Sequence, residues 1–218
     1  MPEIAFMTEK HPSLPRLMIV SSGGEHFSQK GLVLAQAQTL ARSAPVIFQV
    51  REKMLDSASM WRLCSQIAPL VDNSGSILTI NERFDIALAS KAGGVHLPES
   101  SCPADVVRKT ARKLLVGQSV HSETTALKAA STGLDYLLFG PVFHTPSKAS
   151  FGPPQGLDRL REICEKVRIP VFAVGGITPE KVPACIECGA WGVAALTPFL
   201  DAGSLPETVN RFYSFMQS

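Results

Sequence analysis

Eight short apolar runs, each followed by a helix-length segment, constrain this chain more than any other feature. The runs are RLMIVSS, VIFQVRE, SILTIN, GGVHLP, LLVGQSV, DYLLFGPVF, PVFAVGG and WGVAALTPF. They are apolar almost throughout, as strands of a parallel sheet are when helices cover both faces. The segments between them, such as SASMWRLCSQIAPLVD and LDRLREICEKV, place apolar residues three and four apart, and PETVNRFYSFMQ closes the chain in the same way. Eight βα units in 218 residues predict an α/β fold, a (β/α)8 TIM barrel, with a doubly wound open sheet as the alternative. Residues 1–218 then form a single barrel domain, and residues 1–14 are an N-terminal extension without a place in the βα count.

Composition narrows the partners. A formal net charge of +2, from charges scattered along the chain, offers no footprint for nucleic acid or a membrane surface. No apolar run reaches the roughly 18 residues of a membrane span. The cysteines number five, an odd count, and no secretory signal precedes them, so reduced thiols in a cytoplasmic protein are expected. Cys185 and Cys188 form C-x-x-C without the second pair that a zinc site needs, and ACIECGA reads as the end of an amphipathic helix. A small-molecule ligand fits this balance best.

In a barrel the chemistry sits at the C-terminal ends of the strands. Polar residues accumulate there: Ser21 and Ser22; Gln49, Arg51 and Lys53; Asn81 and Glu82; His96, Glu99 and Ser101; Gln118, Ser119 and His121; His144, Thr145, Ser147 and Lys148; Gly175 and Gly176; and Thr197. Gly175-Gly176 stands just before a helix start signalled by Thr178-Pro179, and glycines with free N–H groups at a helix start attract phosphate. A tight turn without ligand is the plain alternative. Strand alternation puts Gln49, Arg51 and Lys53 on one face and Phe48, Val50 and Glu52 on the other, so the first trio makes a second anion site. Thr145, Ser147 and Lys148 open a long Gly/Pro/Ser segment and add hydroxyls and a cation. His121, at a strand end, is a candidate proton-transfer group, His144 a weaker one, and His96 in GGVHLP reads as structural.

The motifs QVREK, NERFDIALASKAGGVHL, GQSVHS, DYLLFGPVFHTPSK, GPPQGL, PVFAVGGIT and GAWGVAALTPF occur in one order from the first strand onward. In that order they resemble the thiamine-phosphate synthase and TenI-like barrels. The resemblance implies one of two activities. Synthase members join a pyrimidine methyl diphosphate to a thiazole phosphate, with Mg²⁺ neutralising the leaving pyrophosphate. TenI-like members include a thiazole tautomerase that aromatises a thiazole carboxylate phosphate without metal. Carried over by motif, Gln49, Arg51, Lys53, Ser119, Thr145, Ser147 and Lys148 correspond to the diphosphate set and Asn81 to the pyrimidine and diphosphate contact. Gly176 and Thr197, with Gly175 beside them, correspond to the thiazole phosphate cradle, and His121 to the tautomerase histidine.

The departures bear on the branch. Asn81-Glu82-Arg83 stands where synthases usually read N-D-R, so Glu82 is the metal ligand only if the chain is a synthase. GVHLPESS lacks the second aspartate, and Ser21-Ser22 replaces the usual Thr-Asp. Together with the LP-x-x-S pattern, SVHS and FGPVF, these departures favour a TenI-like tautomerase with His121 moving the proton and no cofactor. The alternative is an Mg²⁺-dependent synthase, and a third reading is a non-catalytic binder of thiazole or thiamine phosphate. A homodimer is compatible with the resemblance.

Overall fold

Eight parallel strands close into a barrel in chain order: β1 Leu17–Val20, β2 Ile47–Val50, β3 Ile77–Asn81, β4 Gly94–Leu97, β5 Leu115–Val120, β6 Tyr136–Phe139, β7 Val171–Val174 and β8 Gly192–Ala195. The computed structural model describes residues 14–25, 30–145 and 153–216. Closure is made by β8 against β1, with Leu17 opposite Val193 and Ile19 opposite Ala195. The open-sheet alternative is thereby excluded. The helices of the described residues follow the strands: α1 Leu32–Thr39, α2 Ser57–Asn73, α3 Phe84–Ala89, α4 Ala104–Thr110, α5 Glu123–Ala130, α6 Gly156–Lys166, α7 Val182–Glu187 and α8 Leu205–Ser214.

The two faces of each strand separate into two cores. Leu17, Ile19, Phe48, Val50, Leu78, Ile80, Val95, Leu97, Val116 and Val120 point outward and pack with the helices. Residues one position away point inward: Met18, Ile47, Tyr136, Leu138, Phe172 and Ala194 form the barrel's own core, with Leu14 and Trp191 joining them. This alternation decides which side chains can reach the mouth, because inward positions near the strand ends are those occupied by Gln49, Asn81, His96 and Ser119.

Local chemistry starts the helices where the apolar period begins. Asp56 caps α2 by accepting from the Ser59 N–H at 2.8 Å, and Ser122 with Thr125 forms a reciprocal capping box on α5. Two expected elements come out shorter. The DYLLFGPVF run is a strand only to Phe139, although its backbone continues against β7 through Val142 N–H to Val174 O at 2.8 Å and Phe143 N–H to Gly175 O at 3.0 Å. The TPEKVPACIECG segment divides into a 3-10 turn at Pro179–Lys181 and the short α7, whose Pro183 lies in the first turn, where a missing N–H is tolerated.

Candidate active site

The mouth is built over a polar network that rises from the barrel centre. Gly117 on β5 has no side chain because Tyr136 of β6 fills its space: a Cβ there would lie 2.0 Å from the phenol ring. The buried Tyr136 hydroxyl lies 3.1 Å from His96 Nδ1, and His96 Nε2 lies 2.8 Å from Ser119 Oγ. Burial, and to a lesser degree the charge of Arg51, pushes the His96 imidazole from 6.5 down to about 3. It is a neutral ring. One strand pair away, Gln49 Nε2 donates to Asn81 Oδ1 at 3.2 Å, while Gln49 Oε1 is buried with no hydrogen-bond partner. Gln49, Asn81, His96 and Ser119 therefore lie on adjacent strands along one side of the mouth.

The inward trio expected on β2 holds for Gln49 alone as a strand position. The strand ends at Val50, so alternation no longer governs the two cations: Arg51 is half-buried and acts on His96, whereas Lys53 is exposed in the following turn. Glu52 proves to be an organising residue. It is buried, accepts from Ser21 Oγ at 2.5 Å, from Gly23 N–H at 3.0 Å and from Glu25 N–H at 2.9 Å, and so ties the loop after β1 to the end of β2. Ser21 Oγ in turn accepts from the Arg51 N–H at 2.8 Å. Glu25 continues the tie by accepting from the Gly31 and Val33 N–H groups at the start of α1.

Across the mouth, the turn after β7 is shaped by contact with the chain after β6. Gly175 and Gly176 both adopt positive φ, 98° and 64°. A Cβ on Gly175 would lie 2.5 Å from Pro141, and one on Gly176 would lie 2.4 Å from the His144 carbonyl, so the glycines are required by packing as well as by any ligand. Lys181 Nζ donates to Gly176 O at 2.7 Å and lies 4.7 Å from the centre of the Phe143 ring, which fixes the turn from the helix side. Thr197 opens a 3-10 turn after β8 and is exposed. His121, just beyond β5, is exposed, with Nδ1 2.6 Å from Gly140 O. A carbonyl only accepts, so the neutral ring carries its proton on Nδ1 and keeps a lone pair on Nε2. Thr145 ends the described part of its loop, His144 beside it is exposed, and Ser147 and Lys148 lie outside the described residues.

Glu82 is exposed at the end of β3 in left-handed backbone with φ 65°, held there by its N–H donating to His96 O at 2.8 Å. Glu99, in the neighbouring loop, is engaged by Thr125 Oγ1 at 3.5 Å. Among the described residues no three His, Cys, Asp or Glu side chains converge as a metal cage. Magnesium does not need one, since one or two carboxylates complete its shell with substrate oxygens and water. Glu82, exposed at the end of β3, is the carboxylate that would hold such an ion if one entered with a diphosphate.

A family model described as thiamine monophosphate synthase matches residues 17–199. The chain belongs to that family. It is 39% identical over 191 residues to "Putative thiamine-phosphate synthase 2" of Aquifex aeolicus, covering 86% of this chain and 99% of the relative. It is 40% identical over 161 residues to the thiamine-phosphate synthase of Methanocella arvoryzae, covering 73% and 76%. Among solved structures, the thiamine phosphate pyrophosphorylase from Pyrococcus furiosus superposes with a TM-score of 0.81 at 28% identity, covering 93% and 95% of the two chains. A 3-hexulose-6-phosphate synthase shares the fold alone, with a TM-score of 0.70 at 16% identity. The synthase names carried by these members of the family favour the alternative raised from the sequence over the tautomerase reading. Within the family barrel, Glu52 and Lys181 are the residues that motif reading passed over; an acidic residue between the cations Arg51 and Lys53 was the signal for the first.

Proposed function

We propose that the chain is a thiamine-phosphate synthase, joining a pyrimidine methyl diphosphate to a thiazole phosphate with release of pyrophosphate. The observation that carries the reading is the row of Gln49, Asn81 and Ser119 beside Arg51, facing the Gly175-Gly176 turn across one mouth. Buried amide and hydroxyl groups next to a cation suit a diphosphate on a polar ring. The glycine turn and Thr197 suit the second phosphate. In the reaction the methylene–oxygen bond to the diphosphate breaks, the oxygen leaving with the electron pair, as the methylene carbon accepts the lone pair of the thiazole ring nitrogen, which becomes the cationic nitrogen of the product.

Asn81 orients the pyrimidine by hydrogen bonds, and Gln49, Arg51 and Ser119, with Lys53 and Lys148 as further cations, stabilise the negative charge that grows on the leaving group. Glu82 would hold a magnesium ion, whose charge would add to that neutralisation. The test is incubation of the purified protein with both precursors, with and without Mg²⁺, followed by product analysis. Metal-dependent thiamine phosphate, lost in Lys148→Ala, is the expected result; no product at saturating substrates and metal refutes the reading.

The second reading, a metal-independent thiazole tautomerase, is favoured by one observation: the Gly140 carbonyl leaves Nε2 of the exposed His121 as a base. It predicts aromatised thiazole phosphate without metal and loss of that activity in His121→Ala.

A further inference from the structure

Ser119 has a single hydroxyl proton, and an anion at the mouth is served only if that proton points outward. The group that decides this is His96. Its ring is 1% exposed and lies between two hydroxyls, Tyr136 Oη at 3.1 Å from Nδ1 and Ser119 Oγ at 2.8 Å from Nε2. A neutral imidazole carries one donor and one acceptor nitrogen, so only two orders exist. With the proton on Nδ1, Nε2 accepts the Ser119 proton and the serine turns a lone pair toward the mouth, where an anion would be repelled. With the proton on Nε2, the ring donates into Ser119 Oγ and leaves the serine proton free. Nδ1 then accepts from Tyr136, whose phenol keeps its proton because burial raises its pKa.

We propose that His96 is a positioning residue of the anion site: as the Nε2–H tautomer, with Nδ1 accepting from Tyr136 deeper in the barrel, it aims the Ser119 hydroxyl proton at a diphosphate oxygen. The inference rests on the diphosphate reading of this mouth. It gives the buried histidine a part in binding without contact with the ligand, since directionality passes from phenol to imidazole to hydroxyl and ends in a donor beside Arg51.

Inorganic pyrophosphate with Mg²⁺ is titrated calorimetrically into the wild type, Ser119→Ala, His96→Leu, His96→Gln and the Ser119→Ala/His96→Leu double variant. Ser119→Ala and His96→Leu are each expected to weaken binding about tenfold, as loss of a hydrogen bond to a charged group does. The double variant is expected to bind no more weakly than either, because both act through one proton. His96→Gln, which puts an amide donor in place of Nε2–H, is expected to keep most of the affinity. Nitrogen-15 NMR of the wild-type complex needs no variant to fold, and should show Nε2 protonated and Nδ1 as the acceptor. Weakening at Ser119 with none at His96, losses that add in the double variant, or Nδ1 protonated in the complex overturns the relay alone. A wild type that takes up no pyrophosphate, or a Ser119→Ala variant that binds like it, overturns the diphosphate reading and the relay with it.

Discussion

Replacing His96 with glutamine should flatten the acid side of the stability curve, and the size of the effect follows from the burial of the ring. The imidazole is pushed from 6.5 to about 3, chiefly by desolvation. A folded-state pKa below the unfolded one means that the unfolded chain takes up a proton which the folded chain refuses. Stability from this group is therefore fully present above pH 6.5 and is lost as pH falls toward about 3. Each pH unit inside that window costs about 1.4 kcal/mol. At pH 5 the wild type should be less stable than at pH 8 by about 2 kcal/mol from His96 alone. Urea unfolding of wild type and His96→Gln at pH 8, 6 and 5 measures the difference, and the gap between the two curves should close by that amount on the way down. Parallel curves from pH 8 to 5 would refute the claim that the ring is held neutral. Carboxylates with depressed values, such as Asp56 and Asp85, lose their contributions lower on the scale and are common to both proteins.

Glu52→Ala leaves the Gly23 and Glu25 N–H groups and the Ser21 hydroxyl without their acceptor, and should cost about 3 kcal/mol in denaturant unfolding. Hydrogen exchange should then quicken at Gly23 and Glu25 rather than uniformly. Gly176→Ala should cost more than Gly133→Ala in thermal unfolding. Both have positive φ, worth about 1–2 kcal/mol against an L side chain. A Cβ on Gly176 also strikes the His144 carbonyl, whereas one on Gly133 meets open space.

What could be read from the sequence was whatever depends on period and order. Apolar runs such as VFAV and GVAA, set between the helices and the barrel interior, marked their strands directly, and the recurrence of the unit implied closure. Alternation also placed Gln49 inward correctly. It failed at Lys53, because a two-residue period says nothing once the strand has ended, and β2 stops three residues earlier. Glu52, beyond the end of β2, likewise escapes the alternation, and sequence does not reveal that three donors from the loop after β1 meet its carboxylate. His96 was legible as structural from its place in an apolar strand. Its link to Ser119 and Tyr136 was not, since those residues come from two other strands, 23 and 40 positions away. The doubled glycine read as an anion signal, and half of its reason lies in the chain after β6.

The vacancy at Gly117 and the ring of Tyr136 behave as one object divided between two strands. Neither position can vary by itself. Any side chain at 117 would evict the ring, and a small residue at 136 would leave the barrel centre hollow and His96 without its deeper neighbour. Mutational drift along this barrel must therefore trade bulk between the two positions in a single step or hold both, and a trade would reach the mouth as a change in which way a serine hydroxyl faces.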